Sequence, residues 1–145
     1  GYSKARPLIR KLAQDTRYLG EDHGAASALD LAWLCNRYGT FVAATHAASL
    51  CLAEGVPVDE MIKLEPDRPD IRKYASVIRD GTYADSTATL DVWAAALDQI
   101  RTQGREAGMN TEFPDFCAGL FLRAQAAGYG QDNVMSLLKV LRDIE

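Results

Sequence analysis

The chain has little of what most catalytic and metal centres are built from. Among 145 residues there are two histidines, His23 and His46, and three cysteines, Cys35, Cys51 and Cys117. The histidines are far apart, with no Cys or His at ligand spacing, so no zinc site is expected. The cysteines are odd in number, widely separated and set in apolar surroundings, which argues against a disulfide framework and for free thiols in a reducing cytoplasm. There is no glycine-rich dinucleotide or P-loop fingerprint, no CxxC, no HExxH and no nucleophile elbow. Excess positive charge is missing as well: the net charge is −4, which argues against nucleic acid as a partner. The uncharged run 38–53 is too short for a membrane span and carries Thr40, Thr45, His46 and Ser49. No signal or transit peptide pattern is visible, and a cytoplasmic protein is expected.

What is present is an ordinary globular composition, 48% apolar and 25% charged, at a length suited to one domain with a real core. The chain is organised around 21–53, which lacks proline and is rich in alanine and leucine. Glu21 and Asp22 place acid at its start, and Gly55 and Pro57 follow its end. This predicts one helix roughly 45 Å long at about 1.5 Å per residue. Small residues recur along it at Ala28, Ala32, Gly39, Ala43 and Ala47. A helix so long and apolar nearly all round has to be buried by a second chain or a second domain.

The rest reads as helices and turns. Ala5, Leu8, Ile9 and Leu12 share a face in a helix over 3–14, with Ser3 as its cap. Arg17-Tyr18-Leu19 looks like a short strand closed by Gly20. Further helices are expected over 58–64, 70–79 and 87–107, the last capped by Asp85 or Ser86. Pro114 suits the first turn of a helix that runs to Gly128, and a final helix is expected over 131–144. Gly128-Tyr129-Gly130 is read as a helix–helix connection. The outcome is a nearly all-helical domain.

Asp30 is the unusual residue, because it lies two turns into an otherwise apolar helix. A buried carboxylate has to be paired, protonated or turned to a cleft. An ion pair at a helix interface, with Arg37 seven residues on, and a functional acid that donates a proton or orients a cation both stay open. Asp30, Leu34 and Tyr38 follow i, i+4, i+8, and Trp33 sits beside them. The stripe reads either as pocket wall or as plain core. His46 is expected to be a satisfied interior group and His23 a helix-start residue.

The stretch Tyr18-Leu19-Gly20-Glu21-Asp22-His23-Gly24-Ala25-Ala26-Ser27-Ala28-Leu29-Asp30 resembles the interdomain junction of NADPH-dependent imine reductases. These are cousins of the β-hydroxyacid dehydrogenases, such as 3-hydroxyisobutyrate and 6-phosphogluconate dehydrogenase. Ala53-Glu54-Gly55-Val56-Pro57, Asp80-Gly81-Thr82-Tyr83 and the ending from Ala127 to Arg142 fit the same pattern. The resemblance implies an all-α chain: a long interdomain helix plus a helical bundle, intertwined as a homodimer. A short αβ remnant of a Rossmann-type cofactor domain would occupy 1–20, the connecting helix 21–54, and the substrate and dimerisation bundle 55–145.

The same resemblance places Asp30 at the proton-donor position. Hydroxyacid dehydrogenases carry a lysine there, six residues after a glycine, with an asparagine one turn on. Here Gly24 precedes Asp30 by six, and Trp33 or Leu34 stands at the later position. Both departures count against hydroxyacid oxidation, and Asp30, where imine reductases carry Asp or Tyr, favours the imine reductase branch. The implied chemistry is hydride transfer from NADPH to a C=N carbon of a small imine or carbonyl-derived substrate. Asp30 would protonate or anchor the nitrogen, and Trp33, Leu34 and Tyr38 would shape the pocket. NADPH belongs to the full-length parent and is not expected to bind this chain alone, which lacks the glycine-rich loop. The expectation is therefore a piece of a longer reductase. The alternatives are a non-catalytic helical dimerisation module that stands alone, and part of a 3-hydroxyisobutyrate-type dehydrogenase.

Overall fold

In a computed structural model of the chain, which describes residues 1–13 and 15–142, the architecture is helical. The helices are α1 (Tyr2–Leu12), α2 (Gly24–Ala53), α3 (Val58–Leu64), α4 (Pro69–Asp80), α5 (Leu90–Glu106), α6 (Glu112–Ala126) and α7 (Leu137–Leu141). A single 3-10 turn, Val134–Ser136, leads into α7. Among the described residues there is no strand, only an isolated antiparallel bridge between Thr89 and Asn133. No helix among them is long and apolar enough to cross a membrane. The chain forms two compact units, Gly1–Ala32 and a second beginning at Trp33, with the boundary inside α2.

In the first unit, α1 has no buried residue, so the face formed by Ala5, Leu8, Ile9 and Leu12 is uncovered there. Gly1 holds the cap position without a side-chain bond, and Ser3 lies inside the helix rather than capping it. The expected strand at 17–19 does not form. A ladder needs a second strand, and none occurs among the described residues; Tyr18 instead stacks on Tyr2 with ring centroids 4.9 Å apart. Gly20 then turns the chain at φ +99°, a conformation that favours glycine. The Asp22 carboxylate accepts the Gly24 amide at 2.8 Å, so the acid expected at the start of the long helix satisfies one of its first donors.

The second unit is built on the latter part of α2. Tyr38, Phe41, Val42, Ala44, Thr45 and Ala48 are buried, an i, i+3, i+4, i+7 stripe turned to the core. The Thr45 hydroxyl donates to the Phe41 carbonyl at 2.9 Å and so is satisfied within its own helix. The rings of Tyr74 of α4, Trp93 of α5 and Phe121 of α6 meet this stripe at Tyr38 and Phe41, and Ile71, Ala75 and Ile78 of α4, Leu97 of α5, and Cys117, Leu120 and Ala124 of α6 are buried in the same unit. The Arg101 guanidinium of α5 meets the Asp115 carboxylate of α6 at 2.6 Å. α3 and α4 fall close to their expected ranges. Gly81, at φ +67°, ends α4.

α5 starts later than expected, at Leu90, and its cap is Thr89, not Asp85 or Ser86. The connection after α6 explains this. The Leu90 amide donates to the Asp132 carbonyl and the Asp91 amide to the Gly130 carbonyl, both at 2.9 Å. The Asp91 carboxylate in turn accepts from Gln125 at 2.7 Å and Gln131 at 2.8 Å. A Cβ on Gly130 would lie 2.5 Å from Asp91 Oδ1, so a larger residue there would push the carboxylate away from its glutamine partners. The expected final helix over 131–144 is replaced by the 3-10 turn and α7. Asn133 caps that turn by accepting the Met135 amide at 3.0 Å. Gln14, Asp143 and Ile144, which were included in expected helices, lie outside the described residues.

Candidate functional site

α2 carries all four expected site residues and places them in different surroundings. Asp30 belongs to the first unit and is exposed. No residue of 24–32 is fully buried, so in the single chain the carboxylate is open rather than enclosed in a core. An exposed carboxylate on a rigid helix can meet a ligand's nitrogen without a desolvation penalty in the free chain.

The other three belong to the second unit. Trp33 is 55% exposed, and Leu34 is half-buried. Tyr38 is 0% exposed. Its ring meets those of Phe41, Trp93 and Phe121 edge to face, with centroids 6.0, 6.0 and 5.6 Å away. Its hydroxyl donates to the Trp93 carbonyl. Burial, helped by the nearby Cys117, Cys35 and Asp98, pushes the phenol far above its usual range, so it stays protonated. Within this chain Tyr38 is part of the core.

Arg37 was considered only as a companion to Asp30. Its guanidinium instead sits among aromatic rings, 5.6 Å from the Trp33 centroid, 5.5 Å from Phe41 and 5.7 Å from Tyr74. One Nη donates to the Tyr74 hydroxyl. Nothing in the local spacing reveals this cluster, because Tyr74 comes from α4.

Beside it runs an open groove of about 490 Å³, lined by Cys35, Asn36, Gly39, Thr40, Ala43, Arg68 and Phe113. The sequence signal was partial: Gly39 and Ala43 belong to the small-residue stripe, but Arg68 and Phe113 arrive from elsewhere in the fold. A wider basin of about 740 Å³ near Pro57 and Arg72 is bordered by charges already paired, Arg79 with Asp59 at 3.0 Å and Lys63 with Glu60 at 2.6 Å.

No three-residue metal-ligating cluster of His, Cys, Asp and Glu occurs among the described residues. His23 and His46 are both exposed, so His46 is not the interior group expected. The residues here do not fit a dinucleotide. The strand–turn–helix that cradles a pyrophosphate is missing among the described residues. At the start of α2, the Asp22 carboxylate occupies the Gly24 amide, where a phosphate would have to bind.

Residues 22–143 match the profile of the NADPH-dependent reductive aminase-like C-terminal domain. The chain belongs to that family. An NADPH-dependent reductive aminase of Aspergillus oryzae is 27% identical over 135 residues, covering 88% of this chain and 46% of the relative. The chain thus spans about half the length of that relative. A 3-hydroxyisobutyrate dehydrogenase from Salmonella typhimurium superposes with a TM-score of 0.84 at 17% identity, covering 96% of this chain and 50% of the other. That likeness shows a shared fold and nothing more. A reductive aminase from Aspergillus terreus, solved with NADPH4, cyclohexanone and allyl amine, is 31% identical. It covers 97% of this chain and 51% of the other, at a TM-score of 0.49, too loose to bear on the fold.

Proposed function

We propose that this domain is the substrate-facing and subunit-pairing half of an NADPH-dependent reductase acting on C=N bonds. The observation that carries the proposal is the family match over 22–143. Residues 1–20 are assigned to the edge of a cofactor domain, 21–54 to the connecting helix and 55–145 to the substrate and dimerisation bundle. The substrate is a small imine, formed from a carbonyl compound and an amine. When bound by the parent protein, NADPH supplies the hydride; no residue of this chain is assigned to hold it.

Asp30 is the residue proposed to act on the substrate nitrogen, as proton donor or as the anion that anchors an iminium. Its exposure supports this, since the carboxyl is free to meet a ligand. Trp33 and Leu34 supply the apolar wall, and Tyr38 holds that stretch of α2 in the core behind them. A second copy of the chain is proposed to cover the open surfaces of α2. The test is NADPH oxidation with 2-methyl-1-pyrroline by the full encoded protein. Asp30→Ala is expected to lower turnover by about 10²–10⁴-fold, the usual contribution of a positioned general acid. A loss of less than about twofold would remove Asp30 from the chemistry.

A second reading is a non-catalytic dimerisation module, favoured by the exposed apolar side chains Leu29 and Trp33 on α2. It predicts no NADPH oxidation with any imine and an unchanged self-association in Asp30→Ala. Hydroxyacid oxidation is disfavoured by Asp30 standing where those enzymes carry lysine.

A further inference from the structure

Arg37 is a half-buried cation whose setting the proposed chemistry leaves unexplained. Several other arginines of the second unit meet carboxylates: Arg68 with Asp70 at 3.0 Å, Arg79 with Asp59 at 3.0 Å, and Arg101 with Asp115 at 2.6 Å. Arg37 has only a neutral phenol, Tyr74, and three ring faces. Its Nε is buried with no hydrogen-bond partner. Its Nη1 has no partner among the described residues either, but it is not buried, so it reaches solvent.

A guanidinium carries five N–H donors in a fixed plane. Ring faces offset part of its charge, but they accept none of the in-plane donors. Drawing such a group out of water with no counter-charge is unfavourable, and a carboxylate corrects this best because it accepts two parallel N–H bonds. Trp33 stands over the guanidinium and is itself 55% exposed, which gives an incoming molecule an apolar surface beside the charge.

We propose that Arg37 receives the carboxylate of an imino-acid or oxo-acid substrate, whose carbon skeleton lies against Trp33. The proposal rests on reading this domain as the substrate side of a C=N reductase, and it narrows the substrate class to acids.

The test compares two cyclic imines that differ in charge, 1-pyrroline-2-carboxylate and 2-methyl-1-pyrroline. Each is titrated into the chain while the Trp33 indole N–H is followed by NMR. The carboxylate compound is expected to bind at least about tenfold more tightly, a gap of about 1.4 kcal/mol, and to shift the Trp33 resonance. Arg37→Met is expected to bring the two affinities within about twofold. Arg37→Lys should restore only part of the preference, because an ammonium lacks the planar fork. Equal affinities in the unmodified chain overturn the proposal without recourse to any variant, so a variant that fails to fold leaves it testable. A preference that survives Arg37→Met overturns it as well. So does a third outcome, in which neither compound shifts Trp33 and Arg37→Met loosens self-association; a second copy's carboxylate then occupies the guanidinium. The binding assay needs no nucleotide. A clear carboxylate preference in the chain, with no reduction of either imine by the full encoded protein supplied with NADPH, therefore sustains the Arg37 assignment and overturns the reductase reading.

Discussion

The two ends of α2 make the instructive contrast. Over 24–32 the helix is apolar in composition, yet none of its residues is fully buried. Over 38–48 a similar composition yields six buried residues, because α4, α5 and α6 supply the other side of the core. Apolar content makes a segment able to be buried; a partner surface decides whether it is. The chain provides that surface for one end only. Leu29 at 54% exposure marks what the other end leaves open.

The sharpest way to break the contrast is chemical. Asp30→Ala should change turnover by orders of magnitude while leaving the unfolding midpoint within about 0.5 kcal/mol of the parent, as for other exposed positions. A large stability loss would mean that this end of α2 is as structural as the other.

Next in size is the core. Tyr38→Ala should destabilise by about 3–5 kcal/mol in urea unfolding, since it empties a site packed by three aromatic rings. Trp33→Ala, one turn earlier and half exposed, should cost about 1 kcal/mol or less. Equal losses would contradict the division of α2 into an open and a covered end.

Gly130→Ala should cost about 1–3 kcal/mol, because the new methyl meets the Asp91 carboxylate that locks the last connection onto α5. Gly119→Ala is the control: a Cβ there has open space around it, and a mid-helix alanine is favoured over glycine.

The smallest effect concerns pH. Burial, reinforced by Cys35, raises the buried Cys117 thiol from 9.0 to about 11. Below pH 9 the thiol is protonated in both states and the fold keeps its full stability. Between 9 and 11 the unfolded chain loses the proton first, so it binds fewer protons than the folded one, and stability falls as pH rises. The unfolding midpoint should decline across that window, and less steeply in Cys117→Ala.

Much of this was legible in the sequence. Alanine and leucine content, the acids at 21 and 22 and the stop at Gly55 and Pro57 predicted the long helix to within a few residues. Pro114, Gly81 and Gly128 punctuated the later helices correctly, because their backbone preferences are local. The misses share one physical cause, dependence on distant partners. The strand at 17–19 had a strand-like composition but no neighbour to pair with. The start of α5 is set by carbonyls of Gly130 and Asp132, some 40 positions away along the chain. Asp30 stood out as an acid in an apolar helix, but whether it is covered depends on what packs there. Tyr38 read as wall or as core, and the rings of Trp93 and Phe121, which surround it, come from elsewhere in the chain.

Amide hydrogen exchange along α2, measured as the protein is diluted, tests the central claim most directly. Amides of 38–48 should stay protected at every concentration, while those of 24–32 should be protected when concentrated and lose protection on dilution, as a covering second copy departs. Protection of 24–32 that does not change with concentration would contradict the account.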